Sequence, residues 1–150
     1  MPRAADSSLL KAAADGRLAG VEAALGNGAN IDARAEFGDT ALNLAAEHGH
    51  GDIVERLIAG GAAIENRGGA DKTPLMNAAF AGHVGIVRLL LVAGARVVDD
   101  LLRSVQLKVN ILTENAEVGM VRPEAVTAWK QFLDLLAEAR ARQDADAGRS

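Results

Sequence analysis

The chain has 150 residues and a net charge of −4, and this length is sufficient for one compact domain. It contains no cysteine, which excludes disulfides and thiolate metal sites. Its basic residues form no cluster, which argues against nucleic acid as a partner because neutralising phosphates needs a basic face. Residues 1–20 lack a signal peptide's apolar core and no apolar run reaches the roughly 18 residues of a membrane span, which predicts a cytoplasmic protein.

The chain carries a sequence repeat with a period of 33 residues. Gly-Ala pairs stand at 28–29, 61–62 and 94–95, Ala-Ala pairs at 12–13, 45–46 and 78–79, and single glycines at 16, 49 and 82. Independent features that share one period indicate structural repeats. Each unit has the pattern of a helix, a tight turn, a second helix and an extended loop, and the three units span 5–37, 38–70 and 71–97.

The first unit is the least regular of the three. Lys11, Asp15 and Arg17 fit a terminal unit, whose outer face is polar because no neighbour covers it. In the second unit Thr40 is a good N-cap, and Gly49 suits the left-handed residue that ends the first helix. The apolar positions of its two helices follow helical spacing and are Leu42, Ala45 and Ala46, then Ile53, Val54, Leu57 and Ile58.

The third unit repeats these features. Thr73 is the N-cap, and Pro74 occupies the first helical position, where its missing N–H does no harm. Gly82 is expected to end the first helix and Gly94 the second. The matching apolar positions are Leu75, Ala78 and Ala79, then Ile86, Val87, Leu90 and Leu91.

The repeat pattern stops after residue 97. An apolar stripe at helical spacing predicts a longer helix and consists of Val98, Leu102, Val105, Val109 and Leu112. Residues 113–122 are predicted as a loop, and Pro123 opens another helix. The apolar face of that helix consists of Ala125, Trp129, Phe132, Leu133 and Leu136. We therefore expect a helical cap over 98–142, a single domain over 1–142, and a flexible tail over 143–150.

The second and third units resemble the ankyrin repeat. They contain "TALN" at 40–43 and "TPLM" at 73–76, "GH" at 49–50 and 82–83, "IV" at 53–54 and 86–87, and the Ala-Ala and Gly-Ala pairs. The resemblance covers residues 5–97 and implies an all-α ankyrin-repeat solenoid of stacked helix-turn-helix units with β-hairpin-like loops and a C-terminal helical cap. Asn43 and Met76 replace the histidine of the family's Thr-Pro-Leu-His motif, so its hydrogen bond is altered or lost.

The resemblance also implies a binding face. In an ankyrin stack the hairpin tips and the exposed side of each first helix form a concave surface, and the residues that change between repeats face the partner. The predicted partner-binding residues are Arg34, Glu36, Phe37, Asp39, Asn43, Glu47, His48, Arg67, Lys72, Asn77 and Phe80. Gly69, Ala70 and Ala81 occupy further changing positions.

Phe37 and Phe80 are the most informative of these residues, because both occupy normally solvent-facing positions while the core stripe is already filled. An exposed aromatic residue flanked by charge is typical of an interface anchor; the alternative is that each ring only packs over a neighbouring loop. The mixed charge around them favours a protein partner over a polyanion. Trp129 is expected to close the core of the last repeat, and a second contact or dimer surface is the alternative.

The sequence gives little support for an enzyme. Gly49 separates His48 from His50, and His50 and His83 belong to the repeat's own Gly-His turn, while a zinc site needs three or four converging ligands. The glycine-rich segments match no phosphate-binding motif, so we expect no metal and no cofactor. The favoured function is a non-catalytic, monomeric module that binds a partner protein, with an inhibitor or immunity-type protein as a related version. A metal-dependent enzyme and a subunit that self-assembles through its C-terminal helices are the remaining alternatives.

Overall fold

The computed structural model describes residues 3–149. This part of the chain is all-α, with eight α-helices, one 3₁₀ turn and no strand, which confirms the predicted fold class. The helices are α1 (Ala4–Asp15), α2 (Leu18–Gly26), α3 (Ala41–His48), α4 (Gly51–Ala59), α5 (Pro74–Ala81), α6 (Val84–Val92), α7 (Asp99–Glu117) and α8 (Pro123–Ala147). They fall into two compact units, one ending at Ala95 and the other beginning at Arg96.

The first unit is a stack of three helix pairs, α1–α2, α3–α4 and α5–α6. Helix α3 packs between α1 and α5, and α4 packs between α2 and α6. The core repeats with the sequence, because equivalent buried side chains recur every 33 residues, as Leu9, Leu42 and Leu75 in the first helices and Val21, Val54 and Val87 in the second. Burying each such side chain stabilises the fold by roughly 1.5–3 kcal/mol relative to leaving it exposed.

The ends of the first helices follow the predicted capping pattern. The Thr40 and Thr73 hydroxyls accept hydrogen bonds from the backbone N–H of Asn43 and Met76, each at 3.3 Å. Pro74 occupies the first turn of α5. At the other end, the glycines after α1, α3 and α5 adopt left-handed φ values of 74°, 83° and 81°. These predictions are confirmed.

The two hairpin tips, 34–40 and 67–73, are closed by the same backbone hydrogen bond but differ in conformation. In the first tip Gly38 has a φ of 91°. In the second, Asp71 takes the place of that glycine with a φ of 58°, and Ala70 before it has a φ of 55°. A left-handed conformation costs a residue other than glycine roughly 1–2 kcal/mol. The second tip is therefore strained at two consecutive residues.

The second unit is an antiparallel helical hairpin. The backbone N–H of Val97, just before α7, donates to Oε1 of Gln143 at 3.0 Å, and Arg140 donates to the Val97 carbonyl at 2.6 Å. The start of α7 therefore lies beside the end of α8. The buried side chains of the two helices are Leu101, Val105 and Val109 from α7 and Val126, Phe132 and Leu136 from α8.

The structure corrects the predicted details of this hairpin. Helix α7 continues to Glu117, through half of the segment predicted as a loop, because Glu114, Ala116 and Glu117 in its last turn are good helix formers. Leu101 is fully buried in place of the predicted Leu102, and Val126 belongs to the core although the sequence stripe did not include it.

Helix α8 also extends further than predicted, to Ala147 instead of residue 142. Its last turns are rich in Ala and Arg, which favour helix. Arg140 forms an ion pair with Asp144 at 3.1 Å, at the i, i+4 spacing that stabilises helices. The segment predicted as a tail is therefore helical over 143–147, and Ser150 lies outside the described residues.

Candidate protein-binding surface

Phe37 lies at the first hairpin tip with 80% of its surface exposed. Neighbouring Glu36 is exposed as well. The tip that carries both residues is closed by a hydrogen bond from the Ala35 N–H to the Asp39 carbonyl at 2.8 Å. A large apolar ring in water, held on an ordered tip beside a charge, has the chemistry of an interface anchor.

Phe80 lies near the end of α5 and is less exposed, at 37%. The Nζ atom of Lys72 stands 5.4 Å from the centre of its ring, a distance that allows a cation–π interaction. One face of the ring therefore already has a partner within the chain. Phe80 therefore offers a smaller apolar surface than Phe37, and the positive charge of Lys72 lies beside it.

Arg34 and Arg67 both hold the tips in place. The Arg34 guanidinium donates to the Gly38 carbonyl at 2.9 Å within its own tip, and to the Arg67 carbonyl at 2.7 Å in the next. Arg67 donates to both the carbonyl and the carboxylate of Asp71 at 2.8 Å. Since Asp71 has a strained backbone, these two bonds stabilise a conformation that the local sequence disfavours.

Asp39 connects the same two tips. Its carboxylate accepts a hydrogen bond from the backbone N–H of Gly69 at 2.8 Å. A Cβ atom added at Gly68 would collide with Asp39, so the glycine pair in the second tip permits this close approach. Three predicted surface residues, Arg34, Asp39 and Arg67, thus have bonds that order the tips.

Asn43 is buried, which corrects the prediction that its side chain faces a partner. Its Oδ1 accepts hydrogen bonds from the Thr40 N–H at 3.1 Å and from the Thr40 hydroxyl at 2.8 Å. Its Nδ2 donates to the Lys72 carbonyl at 3.1 Å in the next repeat. Asn43 therefore joins two repeats from the position where the family motif has histidine, so the expected hydrogen bond is altered and not lost.

Asn77 is also buried, so the prediction of an accessible side chain is corrected here too. Its Nδ2 donates to Oε2 of Glu47 at a long 3.4 Å. Within residues 3–149 its Oδ1 is buried without a hydrogen-bond partner. Placing that oxygen towards Glu47 instead would bring two acceptors together, so the orientation with Nδ2 facing the carboxylate is the favourable one.

Of the three histidines, one is exposed and the other two bond to the preceding repeat. His48 is exposed on α3, where its Nδ1 bonds to the Leu44 carbonyl at 2.9 Å and its ring stacks on that of His50. His50 and His83 each donate from Nε2 to a carbonyl of the preceding repeat, on Ala14 and Glu47, at 3.0 Å in both cases. The structural role predicted for His50 and His83 is confirmed.

The predicted residues that are neither buried nor engaged in the bonds that order the tips form one set on the tips and first helices. It consists of Glu36, Phe37, Glu47, His48, Lys72 and Phe80, and we call it the candidate surface. It contains two aromatic rings and charges of both signs. Within the described part of the chain, no three His, Asp or Glu side chains come close enough to share a metal ion.

The comparisons with known proteins agree with this architecture. A family model for ankyrin repeats matches residues 9–100 with three copies, and the chain belongs to the ankyrin-repeat family. Repeats of this family are generally protein–protein interaction modules and are typically non-catalytic. Among curated proteins, none matches the chain significantly. Over residues 3–149, no helix has both the length and the apolar character that crossing a bilayer requires.

Sequence reasoning missed one group of exposed apolar residues, which lies on α7. Leu107, Ile111 and Val118 are exposed on this helix or at its C-terminal end. The spacing of four residues between Leu107 and Ile111 is a signal that could have identified them, because it marks a second apolar side beside the buried stripe. These residues belong to the second unit, whereas the candidate surface belongs to the first.

Proposed function

We propose that this chain is a non-catalytic binding module that docks a partner protein on the candidate surface, with Phe37 as the main anchor. The observation that carries the proposal is the 80% exposure of Phe37 on a tip ordered by side-chain bonds. Anchors that are ordered before binding lose little conformational entropy when the complex forms. The chain's membership of the ankyrin-repeat family supports the same proposal, because repeats of this family generally bind other proteins.

The arrangement of charges indicates what the partner offers. Phe37 needs an apolar pocket, and Glu36 beside it favours a basic or hydrogen-bond-donating rim around that pocket. Near Phe80, Lys72 favours an acidic group of the partner, and Glu47 favours a donor. A partner with both signs of charge around an apolar depression matches this pattern, whereas a polyanion would meet Glu36 and Glu47.

A more specific version is an inhibitor or immunity-type protein, in which docking blocks an enzyme or toxin. The same surface would carry that function, because a module without catalytic groups acts by what it covers or holds. An activity assay of the captured partner, with and without the chain, separates an inhibitor from an adaptor: only an inhibitor lowers the activity.

The test compares capture of partners from the native cell by three immobilised proteins. The Phe37→Ala/Phe80→Ala double variant is expected to lose a partner that the parent chain retains, while Val92→Ala retains it. Val92 is a suitable control because it is an exposed apolar residue of the same unit, on α6 and outside the candidate surface. Circular dichroism checks that all three are folded. Equal retention by the double variant and the parent would refute the assignment.

A further inference from the structure

The exposed side of α7 carries an apolar stripe. Leu107 is 60% exposed, Ile111 is 49% exposed, and Val118 at the end of the helix is 68% exposed. At about 100° per residue these three positions fall on one side of the helix axis, roughly 80–160° around it from the buried Leu101 and Val105. Packing within the hairpin therefore does not explain why they are apolar.

The aromatic residues of α8 offer no comparable free surface. The Trp129 ring packs edge-to-face against Phe132, with ring centres 5.4 Å apart, and the Nζ atom of Lys108 stands 4.0 Å from its centre. Trp129 is half-buried and already has both contacts inside its own unit. The apolar surface open to association in this unit is therefore on α7 and in the turn that follows it, where Met120 is exposed as well.

Opposite charges flank the stripe on α7. Arg103 precedes Leu107 by one turn, and Glu114 follows Ile111 by about one turn on the same side of the helix. Both side chains are exposed, and the ion pair of Arg103 with Asp100 is long, at 3.7 Å, and solvated. The order along the segment 103–114 is thus positive, apolar, apolar, negative, and Asp100 and Val118 lie on the same side just outside this segment.

This order is complementary to itself when reversed. In an antiparallel pair related by a two-fold axis near the middle of α7, Leu107 meets Ile111 of a second copy. The same operation places Arg103 opposite Glu114 of that copy, and it does so twice because the interface is symmetric. A parallel pair would instead bring like charges together.

We propose that the chain forms a homodimer through antiparallel pairing of the exposed α7 stripe. The occupant is a second copy because the apolar and the charged positions within 103–114 match their own reversed order. One helix face is smaller than the roughly 800 Å² per partner of a standard interface, so the dimer is weak, with a Kd on the order of 10–100 µM.

Sedimentation velocity of the full chain over about 5–500 µM tests the proposal. The parent chain is expected to shift from monomer to dimer, and Leu107→Glu/Ile111→Glu to stay monomeric, since burying a carboxylate in the interface is unfavourable. Val92→Glu is the control: the same change at an exposed apolar residue outside α7 keeps the dimer. A parent chain that stays monomeric throughout, or a double variant that still dimerises, overturns the proposal.

Charge reversal tests the antiparallel arrangement itself. Arg103→Glu and Glu114→Arg alone each place like charges opposite one another at both ends and are expected to weaken the dimer about tenfold at low salt. Combining the two substitutions in one chain returns opposite charges to both ends of an antiparallel pair, but not of a parallel one, and is expected to restore association. A combined variant that associates no better than either single variant contradicts the antiparallel pairing.

Discussion

The Nε2 atom of His83 lies 3.0 Å from the carbonyl oxygen of Glu47 in the preceding repeat, and its ring covers Gly49. A Cβ atom at Gly49 would stand 2.7 Å from the ring, so the glycine is needed both for its left-handed backbone and for this approach. His50 has the same relationship to Ala14 and Gly16. The Gly-His turn therefore joins consecutive repeats as well as ending a helix.

Gly49→Ala is expected to lower the free energy of unfolding by about 2–4 kcal/mol, the sum of left-handed strain and the collision with His83. Gly61→Ala is the matched control, because Gly61 has a similar φ of 85° with open space around the added atom. It should cost only the backbone strain, roughly 1–2 kcal/mol. Urea unfolding measures both, and equal losses would show that the contact with His83 is unimportant.

Asn43 and Asn77 are both buried, but we expect a large loss of stability when the Asn43 amide is removed and little or none when the Asn77 amide is removed. Asn43→Ala leaves the Thr40 N–H and the Lys72 carbonyl without their partner and should cost about 2–3 kcal/mol. Asn77→Leu removes an acceptor that has no partner and introduces the residue that α3 has at the equivalent position, Leu44. Its unfolding free energy should change by no more than about 0.5 kcal/mol, or rise.

Chemical denaturation of the two variants at one pH is sufficient, since neither change alters the net charge. A large loss in Asn77→Leu would mean that its bond to Glu47 is stronger than the 3.4 Å distance indicates. A negligible loss in Asn43→Ala would mean that water replaces the amide between the two repeats.

Features that act inside one repeat could be predicted from the sequence. Thr40, Gly49 and Leu42 each have a role set by their own helix, as cap, terminator and core, and the period of 33 residues repeats that role. Local rules are sufficient for such positions. The predicted helix ends are less accurate in the second unit, because its sequence does not repeat. Several helix ends are permitted there by local rules, and no equivalent segment indicates which one is used.

Bonds between repeats could not be predicted in this way. Arg34 bonds to the carbonyl of Arg67, 33 residues away, and Asp39 bonds to Gly69, 30 residues away. These contacts depend on the distance at which the tips stack, which no local pattern encodes. Sequence variation between the tips therefore identifies Phe37, whose side chain is exposed, whereas Arg34 and its equivalent Arg67 are identical and Arg34 bonds to the next tip. A role of Arg34 in partner binding stays a prediction.

Ala70→Gly should stabilise the chain. Ala70 has a left-handed φ of 55° at the strained tip, and glycine adopts this conformation without steric cost, for a gain of about 0.5–1 kcal/mol. Ala63→Gly is the control, an exposed alanine with an ordinary backbone in the same repeat, and it should lose about 0.4–1 kcal/mol. Thermal unfolding that ranks both variants below the parent would contradict the strain at Ala70.

Asp6 provides a pH-dependent contribution to stability. The backbone N–H of Asn30 donates to its Oδ1 at 2.7 Å, and this bond is the main reason why the pKa of Asp6 lies below its ordinary value of 3.8. Contacts with Arg3 lower the pKa further, and burial opposes them. Because the folded state binds the proton more weakly than the unfolded state, the charged carboxylate stabilises the fold above pH 3.8, and this stabilisation is lost as the pH falls through the folded pKa.

Asp6→Asn is therefore expected to be less stable than the parent at pH 7 and pH 5, with a gap that narrows as the pH falls below about 4. The physical reason is that a protonated Asp6 and an asparagine carry the same zero charge. Urea midpoints at about pH 7, 5, 4 and 3.5 measure the gap, and Glu36→Gln, the same change in net charge at an exposed tip residue, corrects for overall charge. A gap that stays constant over this range would show that the charge of Asp6 does not stabilise the contact with Asn30.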